Sequence, residues 1–209
     1  RFDLGDDGQL QLKEEKTFEE KILRLSYGKA TKEQEVIQKE QEAIQKKLEE
    51  IGVKTPSQKI VRNCTHKGKR TVVKVYELED KAYGDMLDFL RSGESKENKD
   101  KAKIQVGLQL RKMHEANIYH CDLKPENVLI FRSPDGRITA KIIDFDGAMK
   151  FTEEEQEHHF NHGTQGYFPS TYEPLIYRRI DKDQAKVIDL FGLTVCLTGA
   201  YIVDQQQEG

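Results

Sequence analysis

Apolar and polar positions alternate at two places near the start of the chain, Gln9–Leu12 and Ile22–Ser26, which predicts short strands within residues 1–28. The pattern then lengthens. Val36, Ile37, Glu40, Ile44, Leu48 and Ile51 recur close to one face of a helix over residues 31–50, with Lys, Glu and Gln elsewhere. Pro56 closes that region. Two apolar segments follow, Lys59–Val61 and Thr71–Leu78, expected to pair antiparallel across the basic turn Lys67-Gly68-Lys69-Arg70. Residues 91–101 read as a polar link, after which helical periodicity resumes through Ile104, Leu108 and Met113. Apolar runs at Val128–Phe131 and Ile138–Ile143 flank Pro134-Asp135-Gly136, a hairpin signal. Residues 151–183 lack periodicity and read as a long functional loop. The apolar stretch from Val187 to Val203 contains Asp189 and is short for a membrane span, so a buried helix is expected.

Composition narrows the function classes. The formal net charge is only -3 although 34% of residues are charged, which gives no reason to expect nucleic acid or an anionic membrane as partner. Three cysteines, none in a Cys-x-x-Cys pair, argue against a disulfide framework or a zinc site and fit a reducing compartment, so a cytoplasmic location is expected. Arg1 rather than Met opens the chain, consistent with a processed or partial sequence.

The segment with chemistry in it is His120-Cys121-Asp122-Leu123-Lys124-Pro125-Glu126-Asn127. A carboxylate at Asp122 can sit beside an attacking hydroxyl. An amide five residues on can turn back to hold a metal ion, and Lys124 can neutralise phosphate charge. Downstream, Asp144 ends an apolar run in Ile142-Ile143-Asp144-Phe145-Asp146, as a metal-binding carboxylate at a strand end would. These motifs, with His162-Gly163-Thr164-Gln165-Gly166-Tyr167 and Asp189-Leu190-Phe191-Gly192 after them, resemble in order the catalytic loop, metal loop, activation-segment end and buried F helix of eukaryotic-type protein kinases.

That resemblance implies an α+β, two-lobed fold: a small antiparallel-sheet N-lobe over residues 1–80 and a shortened helical C-lobe over 81–209. It implies ATP and Mg²⁺ as cofactors and a Ser or Thr of a protein as substrate, and leaves room for an activating partner protein. Asp122, Lys124, Asn127 and Thr164 take the catalytic positions, with Thr164 bonding the Asp122/Lys124 pair. Asn127 and Asp144 take the metal positions. Arg24 or Lys21 stands where the phosphate-binding lysine belongs, Glu40 where its carboxylate partner belongs, and Glu77, Leu78 and Leu129 around the adenine. The pattern also breaks. The glycine-rich loop is poor, Cys121 replaces an Arg, and Asp146 replaces a Gly that would adopt positive φ freely. Glu173-Pro174 is the candidate stand-in for the absent Ala-Pro-Glu. A nucleotide-binding pseudokinase, a small-molecule phosphotransferase and a kinase fold repurposed for AMP transfer are the alternatives. The small size resembles that of kinase-like effectors that bacteria deliver into host cytoplasm.

Overall fold

The computed structural model describes residues 2–4, 10–12, 21–27, 32–53, 55, 57–66, 69–77, 82–161 and 163–198, with side chains described from Glu40 to Val53, at Thr55, and from 82 onward within those ranges. The chain divides into two compact units, one of residues 1–40 with 56–82, the other of 41–55 with 83–209. Residues 41–55, grouped with the first 80 by the sequence, thus cluster with the second unit.

The first unit contains the hairpin strands β1 (Phe2–Leu4) and β2 (Leu10–Leu12), then β3 (Lys21–Tyr27) and the start of helix α1 (Lys32–Glu50). Strands β4 (Ser57–His66) and β5 (Lys69–Glu77) complete it. β5 is central to an antiparallel sheet of order β3-β5-β4, in register Arg24 with Lys74 and Val61 with Val73. Leu78 lies outside the described residues, as do the glycine-loop residues 5–8.

The second unit runs through β6 (Ala82–Asp85), α2 (Met86–Arg91), α3 (Lys96–Glu115), β7 (Ile118–Tyr119), β8 (Val128–Arg132), β9 (Ile138–Ile142), β10 (Met149–Lys150), β11 (Glu157–His159), β12 (Arg179–Asp181) and α4 (Lys182–Thr198). β8 and β9 pair antiparallel, Val128 opposite Ile142, and β6 lies on the other side of β8. At the turn Gly136 adopts φ 82 and donates to Ser133 O at 2.8 Å, so the hairpin signal has a backbone cause. One apolar core joins Ile44, Leu48 and Val53 to Phe89, Val106, Leu110, Val128, Ile130 and Ile142. A second, of Tyr119, Cys121, Met149, Phe151, Phe160, Phe168, Ile180, Ala185 and Ile188, seats residues 149–185. Within that stretch β11 pairs with β12, His158 opposite Ile180. Among the described residues no helix is long and apolar enough to cross a membrane.

Two sequence expectations are corrected here. The polar link is shorter than 91–101, because Ser95 accepts from Asn98 N at 3.2 Å and starts α3 at Lys96. The buried stripe of α3 is Ala102, Val106, Leu110 and Met113, whereas Ile104 and Leu108 are 61% and 45% exposed. The helix is rotated to bring two glutamines inward, Gln105 and Gln109, because the edge of β9 offers them main-chain hydrogen-bonding partners.

Candidate active site

The loop from His120 to Asn127 hangs from helix α4. Asp189, buried in that helix, accepts from His120 N at 2.9 Å and Cys121 N at 2.7 Å, and His114 Nε2 donates to it at 2.8 Å. Three donors offset the cost of burying a carboxylate, and two of them are loop amides that need an acceptor in any case. The loop can turn there because Cys121 adopts a left-handed conformation, φ 62. His120 is also fully buried. It accepts from Asp122 N on Nδ1 at 3.3 Å and donates from Nε2 to Ile143 O at 2.9 Å, which ties this loop to the end of β9.

Gly192 makes the approach of α4 possible. A Cβ there would lie 2.3 Å from Leu123 O, a backbone atom that can move only with the loop. Gly192→Ala is expected to destabilise the protein by about 1–3 kcal/mol, the usual range for overpacking, and to shift the loop; thermal unfolding together with the amide spectrum of residues 120–127 checks this.

At the loop's centre the structure brings four of the expected residues together. Asp122 Oδ1 accepts from Thr164 N at 2.9 Å and Thr164 Oγ1 at 2.7 Å. Asp122 Oδ2 accepts from Lys124 Nζ at 2.9 Å and Asn127 Nδ2 at 3.3 Å. Lys124 Nζ also reaches Thr164 Oγ1 at 2.6 Å. The 3₁₀ turn Pro125–Asn127 positions the amide, which donates a second time, to Asp122 O at 2.9 Å. With Nδ2 committed to Asp122, Asn127 presents its carbonyl oxygen on the opposite side.

Asp144 is buried and follows Ile143, whose N–H donates to Asn127 O at 2.9 Å, so the amide and this carboxylate share one anchor. The left-handed residue of this loop is Asp144, φ 66, not Asp146 where the motif comparison placed the positive φ. Asp adopts that region more readily than most side chains because its short polar group can interact with the adjacent backbone. Phe145 packs against His120, ring centres 5.2 Å apart, and Gln41 Nε2 of α1 donates to Asp146 O at 3.2 Å. Among the described residues no group of three or more His, Cys, Asp and Glu could hold a metal by itself. Asn127 and Asp144 form a pair of hard oxygen donors, which suits Mg²⁺ once phosphate and water oxygens complete an octahedron.

The other expected site residues are less informative. Leu129 is buried on β8 opposite Lys141. Glu40 is exposed. Lys21 and Arg24 lie on β3 and Glu77 on β5, their side chains outside the described residues, as is Leu78 altogether. Glu173 sits in a 3₁₀ turn, Ser170–Leu175, and accepts from Gln165 at 3.2 Å.

Cys121 is fully buried in the second apolar core, where burial first and the Asp189 and Asp122 carboxylates after it push its thiol well up. Burial likewise pushes Cys196 up to about 12. Neither is an available nucleophile. Both are expected to resist iodoacetamide in the folded protein at pH 8 and to label after denaturation, read by peptide mass spectrometry. The folded thiols hold their protons to higher pH than the unfolded ones. Their contribution is therefore fully present below about pH 8.5 and declines above it, by up to about 1.4 kcal/mol per pH unit per thiol.

An α+β fold with these two loops in this order, the first anchored on a buried helix Asp, is that of a protein kinase domain. Residues 12–203 match the protein kinase domain family, and the chain belongs to it. It is similar to Serine/threonine-protein kinase dkf-1 of Caenorhabditis elegans, 31% identical over 143 residues, 65% of this chain and 19% of that protein. It is similar also to Serine/threonine-protein kinase D2 of Homo sapiens, 43% identical over 79 residues, 36% of this chain and 9% of that protein. Serine/threonine-protein kinase DCLK3 of Mus musculus is 32% identical over 102 residues, 44% of this chain and 13% of that protein. These matches span about a fifth or less of the relatives' own lengths.

Proposed function

We propose that this chain is an ATP-dependent Ser/Thr protein kinase. The observation that carries the reading is the closed set of hydrogen bonds linking Asp122, Lys124, Asn127 and Thr164, with the residue before Asp144 tied through its main chain to Asn127 O. Asp122 orients a substrate hydroxyl and takes its proton as the oxygen bonds to the γ-phosphorus of ATP and the bond from that phosphorus to the β,γ-bridging oxygen breaks, releasing ADP. Lys124 offsets charge on the transferring group, and Thr164 holds Asp122 and Lys124 in register. Asn127 and Asp144 would hold Mg²⁺, which when bound neutralises phosphate charge and orients the γ-phosphoryl group. The names of the relatives support Ser and Thr as acceptors.

The test is a transfer assay with a mixed protein substrate and ATP labelled on either the α- or the γ-phosphate. Label from the γ position alone, on Ser and Thr, is expected. Label from the α position would mean AMP transfer. Tight nucleotide binding with no transfer from either position would mean a binding module.

A further inference from the structure

We infer that Gln105 and Gln109 are positioning residues for the Asp144 carboxylate, replacing a missing neighbour strand on the outer edge of β9; the inference rests on the reading of Asp144 as a metal ligand.

β9 is the edge of its sheet, hydrogen-bonded to β8 on one side only. In an antiparallel pair the main-chain groups of alternate residues turn toward the partner, and those between them turn away. Ile143 N turns inward, to Asn127 O. By the same alternation Ile138, Ala140 and Ile142 turn outward, and among the described residues no strand pairs with that side. Gln105 Nε2 donates to Ile138 O at 3.0 Å and Gln105 Oε1 accepts from Ala140 N at 2.9 Å. Gln109 Nε2 donates to Ala140 O at 2.8 Å and Gln109 Oε1 accepts from Ile142 N at 3.4 Å. Each side-chain amide thus acts as one peptide unit of a strand. The spacing allows it: four residues of helix rise about 6 Å, close to the roughly 6.7 Å that two strand residues span. Gln109 Nε2 also donates to Gln105 O at 3.2 Å, which fixes its rotamer.

The consequence falls on the end of the strand. Ile142 is two residues from Asp144, and between them Ile143 is held by Asn127 on one side and, through its carbonyl, by His120. Gln109 secures the opposite side. The strand therefore cannot slide or roll without moving Asp144 against Asn127. Neither glutamine touches the reacting atoms. Their effect is on how well Asn127 and Asp144 are spaced for one cation, and partners of this indirect kind are worth about ten-fold or more in metal affinity.

The experiment titrates Mg²⁺ into the full chain at a fixed concentration of a fluorescent ADP analogue, with a parallel nucleotide titration in EDTA. Gln109→Leu removes both bonds to β9. Gln109→Glu keeps the acceptor for Ile142 N, turns an anion toward Ala140 O and serves if the leucine variant does not fold. Ile104→Ala, on the exposed face of the same helix, is the control. The expected result is a Mg²⁺ midpoint raised about ten-fold in the folded Gln109 variants, with affinity in EDTA and the control unchanged. Unchanged Mg²⁺ midpoints in the variants would overturn the inference, as would an equal loss of affinity with and without Mg²⁺, the mark of a merely structural role. A parent whose nucleotide binding is absent or independent of Mg²⁺ would overturn the metal assignment itself, and the inference with it.

Discussion

Replacing Asp189 by Ala is expected to cost about 3–5 kcal/mol, the largest single effect on stability that the structure supports. The side chain is fully buried and accepts from His120 N, Cys121 N and His114 Nε2. Ala would leave two amides and an imidazole with no acceptor inside the protein, and each buried donor left so costs about 1–3 kcal/mol. At 209 residues the shift in melting temperature is on the order of 10 °C, taking about 2–4 °C per kcal/mol. Asp189→Asn retains one acceptor oxygen but turns an NH₂ toward a loop N–H, so it should fall between the parent and the alanine variant. Thermal and urea unfolding of the three proteins check the order. A loss below about 1 kcal/mol for Asp189→Ala would mean that the loop is held by something else.

The second large effect is on rate. Asp122→Asn keeps the shape of the side chain, removes its basicity, and faces two of the four donors around it with another donor. General-base contributions run to about 10²–10⁴-fold, so single-turnover transfer should slow by that factor while nucleotide affinity stays near that of the parent. Fold and binding retained with transfer undiminished would remove Asp122 from the proton's path. A variant that lost nucleotide affinity in the same proportion as rate would recast the residue as part of the binding site.

The site was legible where its chemistry is local in sequence. The loop from His120 to Asn127 packs donor, cation and carboxylate into one turn, so spacing alone points to the hydrogen bonds that join Asp122, Lys124 and Asn127; Asp144 is marked only by its place after an apolar strand. Thr164, forty-two residues from Asp122 along the chain, could be assigned only through the family resemblance. The parts that pattern reading missed share a cause: a polar residue pointing inward looks like a polar residue pointing out. The inward face of α3 is Ala102, Gln105, Val106, Gln109, Leu110 and Met113, a regular helical stripe once the two glutamines are admitted to it. Counting apolar residues alone selected Ile104 and Leu108, which face solvent. The left-handed residue of the loop after β9 was misplaced for a related reason. A Gly-to-Asp substitution draws attention to Asp146, whereas the backbone turns at the carboxylate itself.

The sealed edge of β9 also bears on how the chain fails. Val128–Arg132 and Ile138–Ile142 are rich in β-branched residues, and a sheet edge with bare N–H and C=O groups is a template for any other chain that can add a strand. While α3 is docked, Gln105 and Gln109 occupy those groups. Lifting α3 in a partly unfolded state bares them together with the apolar face that Val106 and Leu110 cover. Aggregation on heating should therefore begin at this hairpin, and its onset should track the docking of α3 rather than global melting.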